Sequence, residues 1–553
     1  MEMNPIATTV EPTGPAPSWP RRAGAFLIWS AIFGLSYTQA ALYYSNQNQY
    51  FLHGLAGAGR GDLGGDWLAN TRDPTPVFSA FVTVVGGWLD ERLFYLVYLL
   101  LLGLYLHSLL GIAQALTRLT SSARLLLATL LVVLHAGITR LGSAQLWGVD
   151  YPWYFQAGVA GQYLLGFGLQ PSVFGVFLLA SIAAFLRDRP WQAATWAALA
   201  AVLHATYMLA AGMLVLAYMA LLWRDGQLRQ ALSIGAWALL LVAPIVVYSL
   251  VNFAPTDRET FAEAQRILAH VRIPHHAEPE RWFDGIALAQ MLWIVAAICV
   301  TWGTRLFVIL TVVFTLSFLL TIVQLVTASD TLALLFPWRT SAMLMPVATT
   351  IILARLLSWD RTPILSAPDP PAPKTDRIGV LSYGVLGLCV AGGLAIMFFG
   401  WGFRTTPEEL PLLEYVHANR QAGDTYLLPV ELPKAGRGAA STNFTPAPRR
   451  GKNGNLIAID LQRFRLSTGA AIYVDFKAIP YQDVEVLEWH RRLLWAKEAY
   501  ARSEWDDEAR QQLDREGITH VVAPADRPVH GSALELVRDA GAYRLYRVAN
   551  AGR

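Results

Sequence analysis

The stretch GGDWLANTRDPTP, residues 64 to 76, sets two carboxylates, Asp66 and Asp73, and one cation, Arg72, in a loop punctuated by glycine and proline. Glycine lets backbone approach closely, and proline fixes the direction in which the chain leaves. A carboxylate held beside an apolar surface is partly desolvated, which tunes its basicity. That is the property required of a general base taking a proton from an acceptor hydroxyl. The plainer alternative is local: Asp66 caps a helical turn over 67–70, and Asp73 pairs with Arg72.

Two further stretches carry cations. NFAPTDRETFAEAQRILAHVRIPHHAEPERWFDG (252–285) holds Arg272, His275 and His276, and ASDTLALLFPWRTSAMLMP (328–346) holds Arg339. Adjacent histidines in a strand face opposite ways, so one points toward the membrane and one to solvent. Without a third ligand at metal spacing, zinc is disfavoured, and these rings read as donors or cations beside a phosphate. Arginine at the mouth of a span either snorkels to the interface or binds an anion, and its fork suits a phosphate. His204, in AVLHATYML, reads as a cavity candidate or a satisfied core histidine. Asp150 and Arg140 flank one loop and read as a pair.

These groups sit in an apolar chain. Of 553 residues, 54% are hydrophobic and 15% charged, against about 25% charged in soluble domains; the mean hydropathy is +0.37. A net charge of +3 without basic runs among aromatics excludes nucleic acid. Cys299 and Cys389 lie in apolar stretches and suggest neither a disulfide framework nor a metal site. Eleven windows are apolar over roughly 17 to 25 residues, long enough to span a bilayer: 22–43, 91–116, 123–139, 171–187, 190–206, 207–223, 231–252, 286–304, 306–327, 338–358 and 378–400. The Gly-rich segment 153–170 reads as a re-entrant segment or a twelfth span. Arg118, Arg124, Arg187, Arg189, Arg224, Arg229, Arg305, Arg355, Arg361, Lys374 and Arg377 then fall in alternate loops. The positive-inside rule places those loops in the cytoplasm, which puts the loops 44–90 and 253–285 outside.

Residues 1–20 read as a disordered cytoplasmic tail, 21–400 as the transmembrane domain and 401–553 as an exported α/β domain. Within the exported part, Thr406 reads as the N-cap of a helix, and TYLLPV, AIYVDF, THVVAPA and YRLYRV read as strands. DVEVLEWHRRLLWAKEAYA, DDEARQQLDREG and SALELVRDAG read as helices, so the sheet is expected to be largely parallel. The Gly/Pro/basic segment 431–455, with Arg449, Arg450 and Lys452, reads as a loop.

A polytopic helical core with an acidic residue in its first long outer loop and a C-terminal exported domain resembles, in plan, the GT-C superfamily of membrane glycosyltransferases, while the strings RIPHH (272–276), LFPWR (335–339) and FRLSTGAAIYVDFKAIPYQDVEVLEWHRR (464–492) carry a narrower resemblance. The narrower resemblance is to a bacterial polytopic branch with an exported C-terminal α/β domain. The loop has GGDW where better-known branches carry DE, DD or FDP-type strings. The resemblance implies a polytopic helical enzyme of the bacterial inner membrane, N-terminus inside and C-terminal domain outside. It implies inverting transfer of a sugar from a polyprenyl-phosphate donor to a glycan, lipid or protein acceptor on the outer face. Asp66, with Asp73, would be the base; Arg339, Arg272, His275 and His276 would hold the phosphate; Arg72, His204 and Asp150 would line the cavity. The resemblance fixes no cofactor; some members use a divalent cation, and two aspartates seven residues apart do not decide whether this chain does. The competing expectations are a lipid-linked glycan transporter or a non-catalytic scaffold of an envelope polysaccharide complex.

Overall fold

The computed structural model describes residues 18–358, 377–401, 407–430 and 461–549. Thr406 and the segment 431–455 lie outside the described residues, as do Arg361 and Lys374.

Each of the eleven apolar windows holds a helix, but they are not eleven equivalent spans. Among the described residues six helices are long and apolar enough to cross a membrane: Leu93–Leu116, Ala205–Arg224, Leu228–Asn252, Arg305–Thr327, Asp330–Ser358 and Ile378–Phe399. A seventh is added if Ser121–His135 and Gly137–Trp147, bent by 54°, count together. Trp19–Tyr37 carries Arg21 and Arg22 and is less apolar, while Pro171–Phe185, Pro190–Leu203 and Gly285–Val300 are shorter. Pro171–Phe185 is buried on every side, and a helix that is hydrophobic all round can belong to a protein core as well as to lipid. The segment 153–170 is neither a helical span nor a helical hairpin. It forms short 3-10 turns at Tyr151–Phe155 and Val159–Gly161, largely buried among the helices, where non-helical backbone is tolerated at depth.

Small residues let these helices approach. Ala193, Ala194, Ala197, Ala198, Ala200 and Ala201 form the buried face of Pro190–Leu203. At Gly393 a methyl group would lie 1.9 Å from the Leu35 carbonyl oxygen, so that crossing requires glycine. The helix starts are capped as the chemistry demands: Asp257 accepts from Glu259 and Thr260, and Asp284 from Ile286 and Ala287.

At one end of the bundle Arg305 pairs with both Asp188 and Asp225, joining three loops expected on the cytoplasmic side. The opposite end carries the C-terminal α/β domain, the part expected to be exported. Its sheet runs β2-β1-β3-β5-β4, with β1 Thr425–Leu427, β2 Ala471–Ile472, β3 His520–Pro524, β4 Leu534–Asp539 and β5 Tyr543–Val548. β1 lies parallel to β2 and β3, whereas β5 is antiparallel to β3 and β4. The sheet is therefore mixed, and SALELVRDAG contributes an edge strand instead of the expected helix. The reason is the hairpin: Gly541, at φ 76°, turns the chain so that this stretch pairs with YRLYRV.

The C-terminal domain shares its core with the loop 253–285. Ala264, Ile267 and Leu268 pack in one cluster with Trp489, Leu493 and Ala496. The helix Asp483–Tyr500 thus lies along Arg258–Ile267, and Asp483 accepts from the backbone and hydroxyl of Thr256 at 2.7 and 2.8 Å.

Candidate functional site

The loop 44–90 grips the C-terminal domain through Asp66. Its carboxylate is fully buried, takes Arg465 Nε at 2.7 Å, and accepts backbone N–H groups from Ile472 at 3.0 Å and Leu68 at 2.9 Å. The cap over residues 67–70 is thus present, joined to an ion pair that crosses domains. As placed, Asp66 is an anchor and does not reach toward an acceptor, because both oxygens are occupied and neither meets open space. Beside it Gly61, at φ 55°, lies so close to Gly469 that a methyl group would come within 2.5 Å of the Gly469 carbonyl oxygen. The Asp62 N–H donates to that same oxygen at 2.7 Å.

Asp73 belongs to another neighbourhood. It lies 4.0 Å from His53 Nδ1, its carbonyl accepts from Tyr248, and Arg72 is exposed, with its backbone N–H on Glu485. The two aspartates do not converge and do not fit a divalent cation. Among the described residues no group of three or more His, Cys, Asp or Glu has metal-holding geometry. Asp150 pairs with Arg140 at 2.8 Å, both buried, and the guanidinium lies over Trp153.

The cations do converge. Arg339 sits on the turn Pro337–Thr340 that opens Ser341–Ser358. Its Nη1 donates to Gln162 Oε1 at 2.9 Å, its Nη2 lies 3.4 Å from His204 Nε2, and the guanidinium covers Tyr207. The preceding Phe336 is held at φ 49°, a conformation costly for a bulky side chain and typical of sites over-determined by their surroundings. His275 and His276 lie on one helical turn, Pro274–Ala277. Their rings are therefore side by side at 4.2 Å and both half-buried, which replaces the expected opposite orientation of a strand. His276 Nδ1 donates to the Ala160 carbonyl at 2.7 Å, so Nε2 carries the lone pair. Burial pushes His276 down to about 3, and burial followed by the charges of neighbouring cations lowers His275.

Arg272, also buried, donates to the Lys477 carbonyl at 2.5 Å and covers Phe476. Lys477 follows β2 in the C-terminal domain. Burial, and then the charge of Arg272, pull its ammonium down to about 7, opposed by Asp475. The charges of Arg272, Arg339 and Lys477 all act on His276, and those of both arginines act on Tyr50. Tyr50 in turn stands edge-on to His204. Arg272 Nε and Arg339 Nε are buried and, among the described residues, have no hydrogen-bond partner. Unsatisfied donors on buried guanidinium groups are costly, and an anion would satisfy them.

Sequence reasoning singled out Arg272, His275, His276, Arg339 and His204, which the structure brings to one place. It did not single out Lys477, Asp475, Arg465, Gln162 or Tyr50. The available signal was the alternation of charged and apolar residues in FRLSTGAAIYVDFK, where Arg465 lies on the helical turn Phe464–Thr468 before β2, and Asp475 and Lys477 follow β2.

Residues 454–496 match a family described as a domain of unknown function, DUF6798. No curated protein is similar enough to match. Among solved structures the chain is similar to the arabinofuranosyltransferase AftD from Mycobacteria, determined by single-particle cryo-EM as a mutant form. The identity is 14% and the TM-score 0.45, over 97% of this chain and 42% of that one. The chain therefore spans less than half the length of that protein.

Proposed function

We propose that this chain is a membrane glycosyltransferase that takes a sugar from a polyprenyl-phosphate donor and passes it to an acceptor at the outer face of the membrane. The observation that carries the reading is the convergence of Arg272, Arg339 and Lys477, with two buried guanidinium Nε groups lacking partners. Such a cluster suits a phosphate in a low-dielectric site, where preorganised donors stabilise charge that develops on a leaving group. The transferase class comes from the resemblance in plan, a polytopic helical core with an acidic first outer loop; the cluster supplies the phosphate. Arg339 and Arg272 grip the phosphate oxygens, and Lys477 supplies a point charge. His276, neutral with Nδ1 tied to Ala160, offers a lone pair to a sugar or acceptor hydroxyl. Direct displacement at the anomeric carbon would invert its configuration. Asp66 holds the exported domain over the loops, so that Lys477 reaches the cluster.

The test is a thin-layer assay of reconstituted protein with undecaprenyl phosphate carrying labelled glucose, mannose or galactose. The expected result is consumption of a donor, reduced about 100-fold by Arg339→Ala, the usual effect of removing one charge-stabilising donor. Unchanged turnover in that variant would remove the cluster from the reaction. If undecaprenyl phosphate binds but no donor is consumed, the chain is better read as a lipid-linked glycan transporter or a scaffold.

A further inference from the structure

A cationic cluster that receives a leaving phosphate does half of a displacement; the acceptor hydroxyl must also lose its proton. The carboxylates near the loops are mostly engaged elsewhere. Asp66 is sealed against Arg465, Asp73 stands with His53, and Glu278 and Asp330 both bond His270. Asp475 differs. It lies two residues before Lys477, in the segment that leaves the carboxyl end of β2, where open sheets with parallel strands bind their ligands. Its charge acts on both Arg272 and Lys477. Its side chain is 20% exposed, whereas that of Asp66 is 0% exposed.

The position of Asp475 is fixed from three directions. Arg465 Nη1 donates to Oδ2 at 2.9 Å, the Ala478 N–H to Oδ1 at 2.5 Å, and Trp489 Nε1 to its carbonyl at 3.0 Å. An ionised carboxylate offers about four lone-pair directions, so two contacts leave room for an acceptor O–H. Arg465 divides its guanidinium between Asp475 and Asp66. Resting on the phosphate reading above, we propose that Asp475 is the acceptor base and that Asp66, through Arg465, positions it.

The step balances as follows. The acceptor oxygen bonds to the anomeric carbon while the bond from that carbon to the phosphate oxygen breaks. The electron pair of the broken bond leaves on polyprenyl phosphate, facing Arg272, Arg339 and Lys477. The acceptor proton passes to Asp475 and then to solvent. With water as acceptor the products are free sugar and polyprenyl phosphate.

The experiment compares wild type, Asp475→Asn and Asp475→Glu in the reconstituted full-length protein. Hydrolysis or transfer is measured from undecaprenyl-phosphate glucose, mannose and galactose across pH, and binding of undecaprenyl phosphate is measured in parallel. The expected result is a loss of at least about 100-fold in turnover for Asp475→Asn, disappearance of the acidic limb of its rate profile, and partial recovery in Asp475→Glu. Binding of undecaprenyl phosphate should be retained or tightened in Asp475→Asn, because the variant removes a negative charge that acts on Arg272 and Lys477 and the base does not contact the leaving group. Turnover of Asp475→Asn within about threefold of wild type would overturn the assignment and leave the phosphate site standing. Loss of binding together with turnover would make Asp475 structural and overturn it too. Wild type that neither binds undecaprenyl phosphate nor consumes a donor would overturn the reading beneath it.

Discussion

Lys477 is the residue whose protonation should report anion binding most directly. Burial and the charge of Arg272 hold it at about 7, against about 10.4 in an unfolded chain. Between those values the unfolded chain holds a proton that the folded chain has released. The folded state therefore gains stability from this group as pH rises through that window. A bound phosphate reverses the balance, since its charge favours the ammonium. At pH 8.5 the phosphate has already lost its second proton, whose pKa is about 6, so binding undecaprenyl phosphate should take up on the order of one proton. Calorimetry in buffers of different ionisation enthalpy measures that uptake. It should vanish in Lys477→Met, and affinity in wild type should fall as pH rises above 7. An identical uptake in the variant would place Lys477 outside the site.

The Asp66–Arg465 contact joins elements 399 residues apart in sequence, which explains why the loop alone suggested a base. A buried carboxylate beside apolar surface looks the same in sequence whether its partner is a substrate or an arginine from another domain. With side chains only 0% and 3% exposed, removing one partner should cost about 3 kcal/mol. Asp66→Ala should expose the exported domain to limited proteolysis and lower the melting temperature. Arg465→Met should do the same, and the double variant should lose much less than the sum, because no charge is then left buried against Asp66. Strict additivity would show that the two residues act separately. Other elements were legible in proportion to how local their signals are. The helices Asp483–Tyr500 and Asp507–Arg515 and four of the five strands lie where pattern and caps place them. β4 does not, because it is an edge strand with Leu536 exposed. Its leucines, alanine and glutamate carry helical propensity, and only pairing with β5 overrides it. Hydropathy likewise placed a helix in each of its eleven windows but could not separate helices that face lipid from those that fill the core. Leu228–Asn252 is 17% buried over its most apolar stretch, whereas Pro171–Phe185 is enclosed.

At the scale of the molecule, charge is sorted to two ends. Arg305 ties Asp188 and Asp225 together at one end, and the cluster of Arg272, Arg339 and Lys477 lies at the other, beneath the exported domain. The arginine-rich loops belong to the first end, and positive charge near span ends marks the cytoplasmic side. This argument predicts a specific labelling pattern. In a background with Cys299 and Cys389 replaced by serine, Glu280→Cys and Gln227→Cys place single thiols on exposed positions of opposite ends. A membrane-impermeant maleimide added to intact cells should label the Glu280 variant at once, and the Gln227 variant only after permeabilisation. Sidedness decides more than topology, because lipid-linked sugars are the donors available where nucleotide sugars are not. The reverse labelling pattern would turn the cluster toward the cytoplasm, and the case for a polyprenyl-phosphate donor over a nucleotide sugar would fall with it.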